Sequence, residues 1–158
     1  MKAYETSATV EGGGGIRVEG VPFQPGTEGA VTISPKMTAA AKQAAYDQLA
    51  EISQACRIAG WDSEGARAVE QVTLQHAYRF LEALPPGYPL PDITAEPDGH
   101  LELEWYRGTR QVLSVSINPA GMLYWAALIG TEDPRGSCPF NGEIPDTIRY
   151  WIRRVSAA

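Results

Sequence analysis

The sequence is poor in the residues that cross-link small secreted domains or build metal centres. Its 158 residues include two cysteines, Cys56 and Cys138, and two histidines, His76 and His100. Two cysteines match neither a disulfide framework nor a zinc-binding motif. No apolar run approaches the roughly 20 residues that cross a bilayer, and residues 1–5 do not start a signal-peptide hydrophobic region. We therefore expect no membrane association and a reducing bacterial cytoplasm as the location.

Positive charge is scarce as well. The chain has 13 lysines and arginines against 19 acidic residues, which gives a net charge of −6 and an isoelectric point near 4.9. This balance argues against a broad nucleic-acid-binding surface, because such surfaces carry an excess of positive charge. The apolar fraction of 44% is sufficient to fill the core of one compact domain with an appendage.

Segment 92–129 carries the clearest structural pattern. Its turns at 97–99 and 119–121 each combine proline with glycine, which favours a type I turn closed by a left-handed residue. Apolar and polar residues alternate between the turns, as in strands that bury one face. The pattern predicts a four-stranded antiparallel meander. Its inward face is expected to hold Ile93, Ala95, Leu101, Leu103, Trp105, Leu113, Val115, Ile117, Leu123, Trp125, Ala127 and Ile129.

The register follows from pairing the residues that flank each three-residue loop. The expected pairs are Glu96 with His100, Tyr106 with Arg110, and Asn118 with Met122. A one-residue slip in the middle hairpin would place Glu104 opposite Leu113 in the apolar layer, at a cost of several kcal/mol. The opposite face is polar on the second strand but not on the fourth, which carries Tyr124 and Ala126. We therefore expect a helix or a partner to cover that end.

Three helices are predicted around the sheet, which makes the fold class α+β. Good helix formers and an apolar stripe at helical spacing fill segment 35–60. This first helix either packs on the domain or stands free as a linker. We expect a second helix over 68–84, a polar loop over 131–142 and a third helix from about Pro145.

Residues 1–34 predict a small β module, with strands over 4–10, 15–19 and 29–33 joined by glycine- and proline-rich turns. Its hairpin, followed by a Pro-Gly-Thr-Glu turn and a last strand, resembles the β modules of AbrB-like and related prokaryotic antitoxin families. The resemblance implies a homodimer formed through this module. DNA-binding members carry basic residues in this segment, whereas this chain has more acidic than basic side chains there, so DNA contact is not implied.

From residue 61 onward, five short motifs resemble an uncharacterised family of small bacterial proteins. That family combines a W-D-G-x-G-A loop, a helix ending in L-P, and strands of the L-E-W and L-S-V-S types. The matching residues here are Trp61-Asp62, Gly65-Ala66, Leu84-Pro85, Leu103-Glu104-Trp105 and Leu113-Ser114-Val115-Ser116, with Ser63 in place of the first glycine. The resemblance implies a fold and no known reaction. We divide the chain into a β module (1–34), a helix or linker (35–60) and an α+β domain (61–158).

Three acidic or imidazole side chains alternate along the second predicted strand and so point to one side. His100, Glu102 and Glu104 together offer one nitrogen and two carboxylates, a donor set that suits a divalent metal. However, side chains two positions apart on a strand are roughly 7 Å apart, and a solvated strand face is the interpretation that the pattern favours. We expect no metal, no cofactor and no catalytic residue.

The loop after the first helix places two carboxylates beside an aromatic ring. Asp62 and Glu64 next to Trp61 suit either a recognition or acid–base pocket, or a structural corner in which Asp62 accepts backbone N–H groups. His76 borders the apolar stripe of the second helix and is interpreted as a packing residue. The basic and aromatic residues of 149–154 suit either helix packing or single-strand binding.

Together these patterns favour a non-enzymatic, antitoxin-like or accessory protein whose acidic surface binds a basic toxin or effector. The residues expected to bind the partner are Trp61, Asp62, Glu64, His100, Glu102, Glu104 and Tyr124. Two alternatives stay open. One is a small metal-dependent or acid–base hydrolase that uses these carboxylates and His100, and the other is a DNA-binding autoregulator that acts through the N-terminal module.

Overall fold

A computed structural model of the chain describes residues 6, 8, 12–28 and 39–157. The chain divides into two compact units, Met1–Ile33 and Ser34–Ala158. In the first unit, residues 12–28 form turns, bends and irregular backbone, with one bridge residue at Ile16. The predicted strand over 29–33, and all of 4–10 except residues 6 and 8, lie outside the described residues. The homodimer expected from this module stays a prediction.

The second unit combines helices with one antiparallel sheet, so the predicted α+β class is confirmed. Its elements are α1 (Ala39–Ala55), α2 (Gln71–Ala83), β1 (Asp92–Ala95), β2 (Leu101–Gly108), β3 (Gln111–Ile117), β4 (Met122–Ile129), β5 (Arg135–Pro139) and α3 (Asp146–Ser156). The strands are hydrogen-bonded in chain order as a five-stranded meander. None of the described helices is both long and apolar enough to cross a membrane.

The sheet has one strand more than predicted. Arg135–Pro139 was expected to belong to a polar loop, but it pairs with β4 along five residues. This strand lacks the apolar alternation that marks the others. It is held instead by hydrogen bonds to the edge of β4 and by contact with Trp125. The indole of Trp125 lies so close to Gly136 that a Cβ added at Gly136 would be 2.8 Å from Cζ2 of the ring. Glycine at this position lets an edge strand accommodate the ring.

The pairs at the first and third turns are confirmed, and the pair predicted for the middle turn is wrong. Tyr106 pairs with Val112 rather than with Arg110, and a bulge follows between Tyr106 and Gly108. Arg110 has no partner in the β2 register. Its carbonyl accepts the N–H of Gly130, and its guanidinium donates to the Gly130 carbonyl. The shift is two residues, an even number, so every side chain keeps its predicted face.

All three helices pack on the inward face of the sheet. The core joins Leu49 of α1, Phe80 and Leu81 of α2, and Ile148 and Ile152 of α3 to that face. Nine of the twelve residues predicted to face inward are buried, and Ala95, Trp125 and Ile129 are half-buried against the same core. Since α1 contributes Ala45 and Leu49 to this core, and Cys56 directly after the helix joins them, the second half of α1 is part of the packed unit.

The outward face carries no fully buried side chain on any of the five strands. Tyr106 and Tyr124 are 56% and 44% exposed, and Ala126 is exposed beside them. The expected cover over β4 is therefore not supplied by any of the described helices. This open face carries the side chains discussed below.

The close approach of Trp125 to Gly136 predicts a stability effect. Gly136→Ala should lower the free energy of unfolding by about 1–3 kcal/mol, because the added methyl group would overlap the indole. Urea unfolding followed by tryptophan fluorescence measures this change. The matched control is Gly108→Ala, where no atom lies within 4 Å of the added Cβ. Equal stability of the two variants would contradict the packing described here.

Candidate functional site

The turn between β1 and β2 gathers three metal-ligating side chains. Gly99, with a φ of +88°, donates its N–H to the carbonyl of Glu96 at 3.0 Å and closes the turn. The carboxylate of Asp98 accepts the backbone N–H of His100 at 3.1 Å. These bonds place the side chains of Glu96, Asp98 and His100 on one corner of the sheet.

The side chains at this corner meet around one ring nitrogen. His100 Nδ1 lies 3.4 Å from Asp98 Oδ2 and 3.2 Å from Ser116 Oγ of β3. The Ser116 hydroxyl donates to the carboxylate of Glu96. The His100 ring stacks on Tyr124 of β4, with centroids 6.2 Å apart and planes inclined by 8°. We call Glu96, Asp98, His100 and Ser116 the turn cluster.

The turn cluster does not have the geometry of a nucleophilic serine relay. In such a relay the base contacts the serine through one ring nitrogen and its orienting carboxylate through the other. Here Ser116 and Asp98 both approach Nδ1, and the serine hydroxyl donates to Glu96. The arrangement therefore provides ligand atoms and hydrogen bonds, and it does not activate Ser116.

The loop with Trp61 and Asp62 is bonded to the same corner. The backbone N–H of Arg67 donates to the carbonyl of Pro97 at 2.8 Å, and Gly99 lies so close to Ala68 that a Cβ would come within 2.9 Å of its carbonyl oxygen. The loop thus fixes the turn from outside the sheet.

Within that loop, the two side chains singled out by the sequence make local bonds. Trp61 donates its indole N–H to the carbonyl of Arg67 at 2.8 Å. Asp62 Oδ1 accepts the N–H groups of Ala66 and Glu64, each at 2.9 Å. These bonds hold the pKa of Asp62 below its ordinary value, since they favour the charged carboxylate. Asp62 therefore has the structural role considered above, in which its carboxylate accepts backbone N–H groups. The Glu64 side chain accepts no backbone N–H from the described residues and is exposed.

Ser63, which stands where the resembled family has glycine, adopts a left-handed backbone with a φ of 65°. This conformation favours glycine and costs other residues free energy. Serine at this position therefore carries a conformational cost that glycine would not.

A line of carboxylates runs along the outward face beside the turn cluster. Asp92 of β1 pairs directly with Glu104 of β2, and Glu102 lies two positions away on the same strand. The pKa of Glu104 is raised, first by burial and then by the negative charges of Glu102 and Asp92. Like charges in directly opposed positions destabilise a sheet, so this line carries an energetic cost.

Of the three side chains considered as metal ligands from the sequence, only His100 lies in a group of close ligand atoms within the part of the chain that the structure describes. Among the described residues, one group of metal-ligating side chains has its ligand atoms within 4.8 Å of each other, and it consists of Glu96, Asp98 and His100. Glu102 and Glu104 are not in it. The sequence alone could have indicated this group, because Glu96 and His100 were predicted to pair across a turn that contains Asp98.

An open groove continues from the turn cluster across the outward face. It has a volume of about 480 Å³ and is lined in part by Glu96, Glu102, Ser116, Tyr124 and Arg135. Three of the predicted partner-binding residues, His100, Glu102 and Tyr124, thus lie at or beside it. Arg135 belongs to the strand that the sequence pattern did not indicate.

The basic and aromatic residues of α3 make contacts within the fold. Trp151 is buried, and Arg149 forms an ion pair with Asp146. Arg154 pairs with Glu132 at 3.2 Å, and Arg153 lies over the ring of Tyr88. His76 of α2 packs against the turn at Gly121. These contacts favour the packing interpretation over single-strand binding.

No family model, curated protein or solved structure matches the chain. The two resemblances described above therefore stay predictions.

The bonds at Asp62 predict a pH-dependent stability. Asp62→Asn keeps an oxygen that accepts both N–H groups and removes the charge. Because the folded pKa is lowered, the charge stabilises the fold above the ordinary carboxyl pKa of about 3.9, and this contribution is lost as pH falls through the folded pKa. The variant should be less stable than the native chain at neutral pH, and the difference should close in acid.

Urea unfolding at a series of pH values measures this difference. Glu64→Gln, in the same loop, serves as the control and should follow the native profile. A difference between Asp62→Asn and the native chain that stays constant with pH would rule out the charge as the stabilising feature.

Proposed function

We propose that the chain is a non-enzymatic binding protein that captures a basic protein partner on the outward face of its sheet. The binding surface consists of Asp92, Glu102, Glu104, Tyr106 and Tyr124, which we call the acidic face. An antitoxin-like or accessory partner of a basic toxin or effector is the role that fits such a surface best.

The observation that carries the proposal is the unfavourable pairing of Asp92 with Glu104. The two carboxylates occupy directly opposed positions, and Glu102 adds a third charge nearby. Among residues 39–157, no lysine or arginine forms an ion pair with any of the three. A cationic partner would relieve this repulsion. The electrostatic free energy that destabilises the free chain would then contribute to the affinity for the partner.

The remaining features of the face support a protein as the partner. Tyr106 and Tyr124 are exposed next to the carboxylates, and tyrosine is enriched at protein interfaces because its ring buries apolar area while its hydroxyl stays hydrogen-bonded. The net charge of −6 attracts a basic partner from a distance and repels nucleic acid. The groove beside these residues is open to solvent, as suits a protein surface rather than an enclosed substrate.

The repulsion around Glu104 predicts that its neutralisation stabilises the free protein. The folded pKa of Glu104 is raised, so the fold loses stability as pH rises from the ordinary glutamate pKa of about 4.3 through the folded value. Glu104→Gln should be more stable than the native chain at neutral pH by roughly 0.2–1 kcal/mol, and equal to it below the ordinary pKa. Glu82→Gln on the exposed side of α2 is the control, and urea unfolding is the measurement. A Glu104→Gln variant that is less stable than the native chain at neutral pH would show that the charge is satisfied within the fold.

Site-specific photo-crosslinking tests the binding face directly. A photoreactive amino acid placed at Tyr106 or Tyr124 of the full chain, in cells that carry the chain's own gene, should give one discrete adduct with one basic protein. Tyr150 of α3 is the matched control, because it is a tyrosine of similar exposure (50%) on the helical side of the unit. The adduct should disappear when Glu102 and Glu104 are both replaced by glutamine.

Two outcomes would contradict the proposal. One is an adduct that forms equally from Tyr150, and the other is an adduct that survives the double glutamine substitution. Either would remove the acidic face as the determinant of binding.

A further inference from the structure

We propose that the turn cluster binds one divalent transition-metal ion, with Zn²⁺ as the best-suited species, through Glu96, Asp98 and His100. This site lies at one end of the outward face and goes beyond the proposed capture of a protein partner. It differs from the metal set considered from the sequence, of which it keeps only His100.

The spacing of two donor atoms already matches a coordination shell. Two ligands held about 2.1 Å from an ion at a tetrahedral angle are about 3.4 Å apart. His100 Nδ1 and Asp98 Oδ2 are separated by 3.4 Å, which is longer than a good hydrogen bond between these groups. Glu96, Asp98 and His100 each have one ligand atom within 4.8 Å of a ligand atom of the other two, so small side-chain movements toward a shared ion would give a three-ligand face.

The donor types select the kind of ion. One imidazole nitrogen with two carboxylates is a mixed nitrogen–oxygen set, which Zn²⁺ and similar transition metals bind well. Mg²⁺ and Ca²⁺ prefer oxygen ligands throughout. The imidazole therefore distinguishes the turn cluster from the purely acidic line formed by Asp92, Glu102 and Glu104.

Hydrogen bonds and ring stacking restrict the movement of the donors before any ion binds. Backbone bonds of the turn fix Glu96 and Asp98, and stacking on Tyr124 fixes the plane of the His100 ring. The Ser116 hydroxyl donates to the Glu96 carboxylate, as outer-shell groups do when they orient a metal ligand. Such support lowers the conformational cost of coordination.

The open groove reaches the site at Glu96. Glu96 and Ser116 line it together with Tyr124 and Arg135. Three protein ligands leave at least one position for water, as in sites that are not purely structural. A buried tetrahedral site would have no such opening.

Isothermal titration of the metal-free full chain with Zn²⁺ tests the site, with Ca²⁺ as the comparison ion. We expect one Zn²⁺ per chain and no saturable Ca²⁺ binding. His100→Gln should weaken Zn²⁺ binding at least tenfold, in line with the loss of a ligand. Asp98→Asn should weaken it as well, while its side-chain oxygen still accepts the His100 N–H and preserves the turn. Far-ultraviolet circular dichroism checks that each variant is folded.

Glu102→Gln is the matched control, since it removes a charge from the same strand and the same face without removing a proposed ligand. It should leave Zn²⁺ affinity within about twofold of the native value. Three results would overturn the site: no saturable Zn²⁺ binding, native affinity in both His100→Gln and Asp98→Asn, or an equal loss in Glu102→Gln. Because no protein partner is present in the titration, its outcome is independent of the proposed function.

Discussion

Alternation of side chains along paired strands is the constraint on which both surfaces of this sheet depend. The bulge after Tyr106 displaces the β2–β3 pairing by two residues from the register expected of a simple three-residue loop. An even displacement leaves Trp105 inside, where its indole donates to the carbonyl of Pro89 at 2.9 Å, and leaves Glu104 outside. The apolar layer under the helices and the charged layer on the other side thus follow from one pairing rule.

Strong local periodicity explains which parts of the fold were predictable. The inward residues of β2 and β3 alternate without interruption, and α2 carries an apolar stripe, so both were evident from spacing alone. The strand Arg135–Pro139 has no such signal. It exists because β4 offers unpaired backbone groups and because Gly136 leaves room for Trp125, and both conditions are tertiary.

The candidate site shows the same division between local and non-local information. Alternation correctly placed His100, Glu102 and Glu104 on one face, but it did not show that the nearest ligand atoms to His100 come from Glu96 and Asp98 across the turn. Ser116 enters the cluster through the pairing of β2 with β3, which requires the register. Asp62 is the opposite case, because an aspartate in a short loop that also contains Gly65 already suggested the backbone bonds that it makes.

The two edges of the sheet are finished in different ways. At the edge formed by β1, the side-chain oxygen of Gln48 in α1 accepts the backbone N–H of Ile93 at 3.2 Å. A helix residue therefore satisfies a backbone group that would otherwise be free to pair with another strand. At β5, Pro139 has no N–H to offer and Arg135 adds a charge. Neither edge therefore presents a long, uninterrupted template for another chain's backbone. In a protein that leaves one whole sheet face open, such edges disfavour the edge-to-edge pairing through which sheets of separate molecules join.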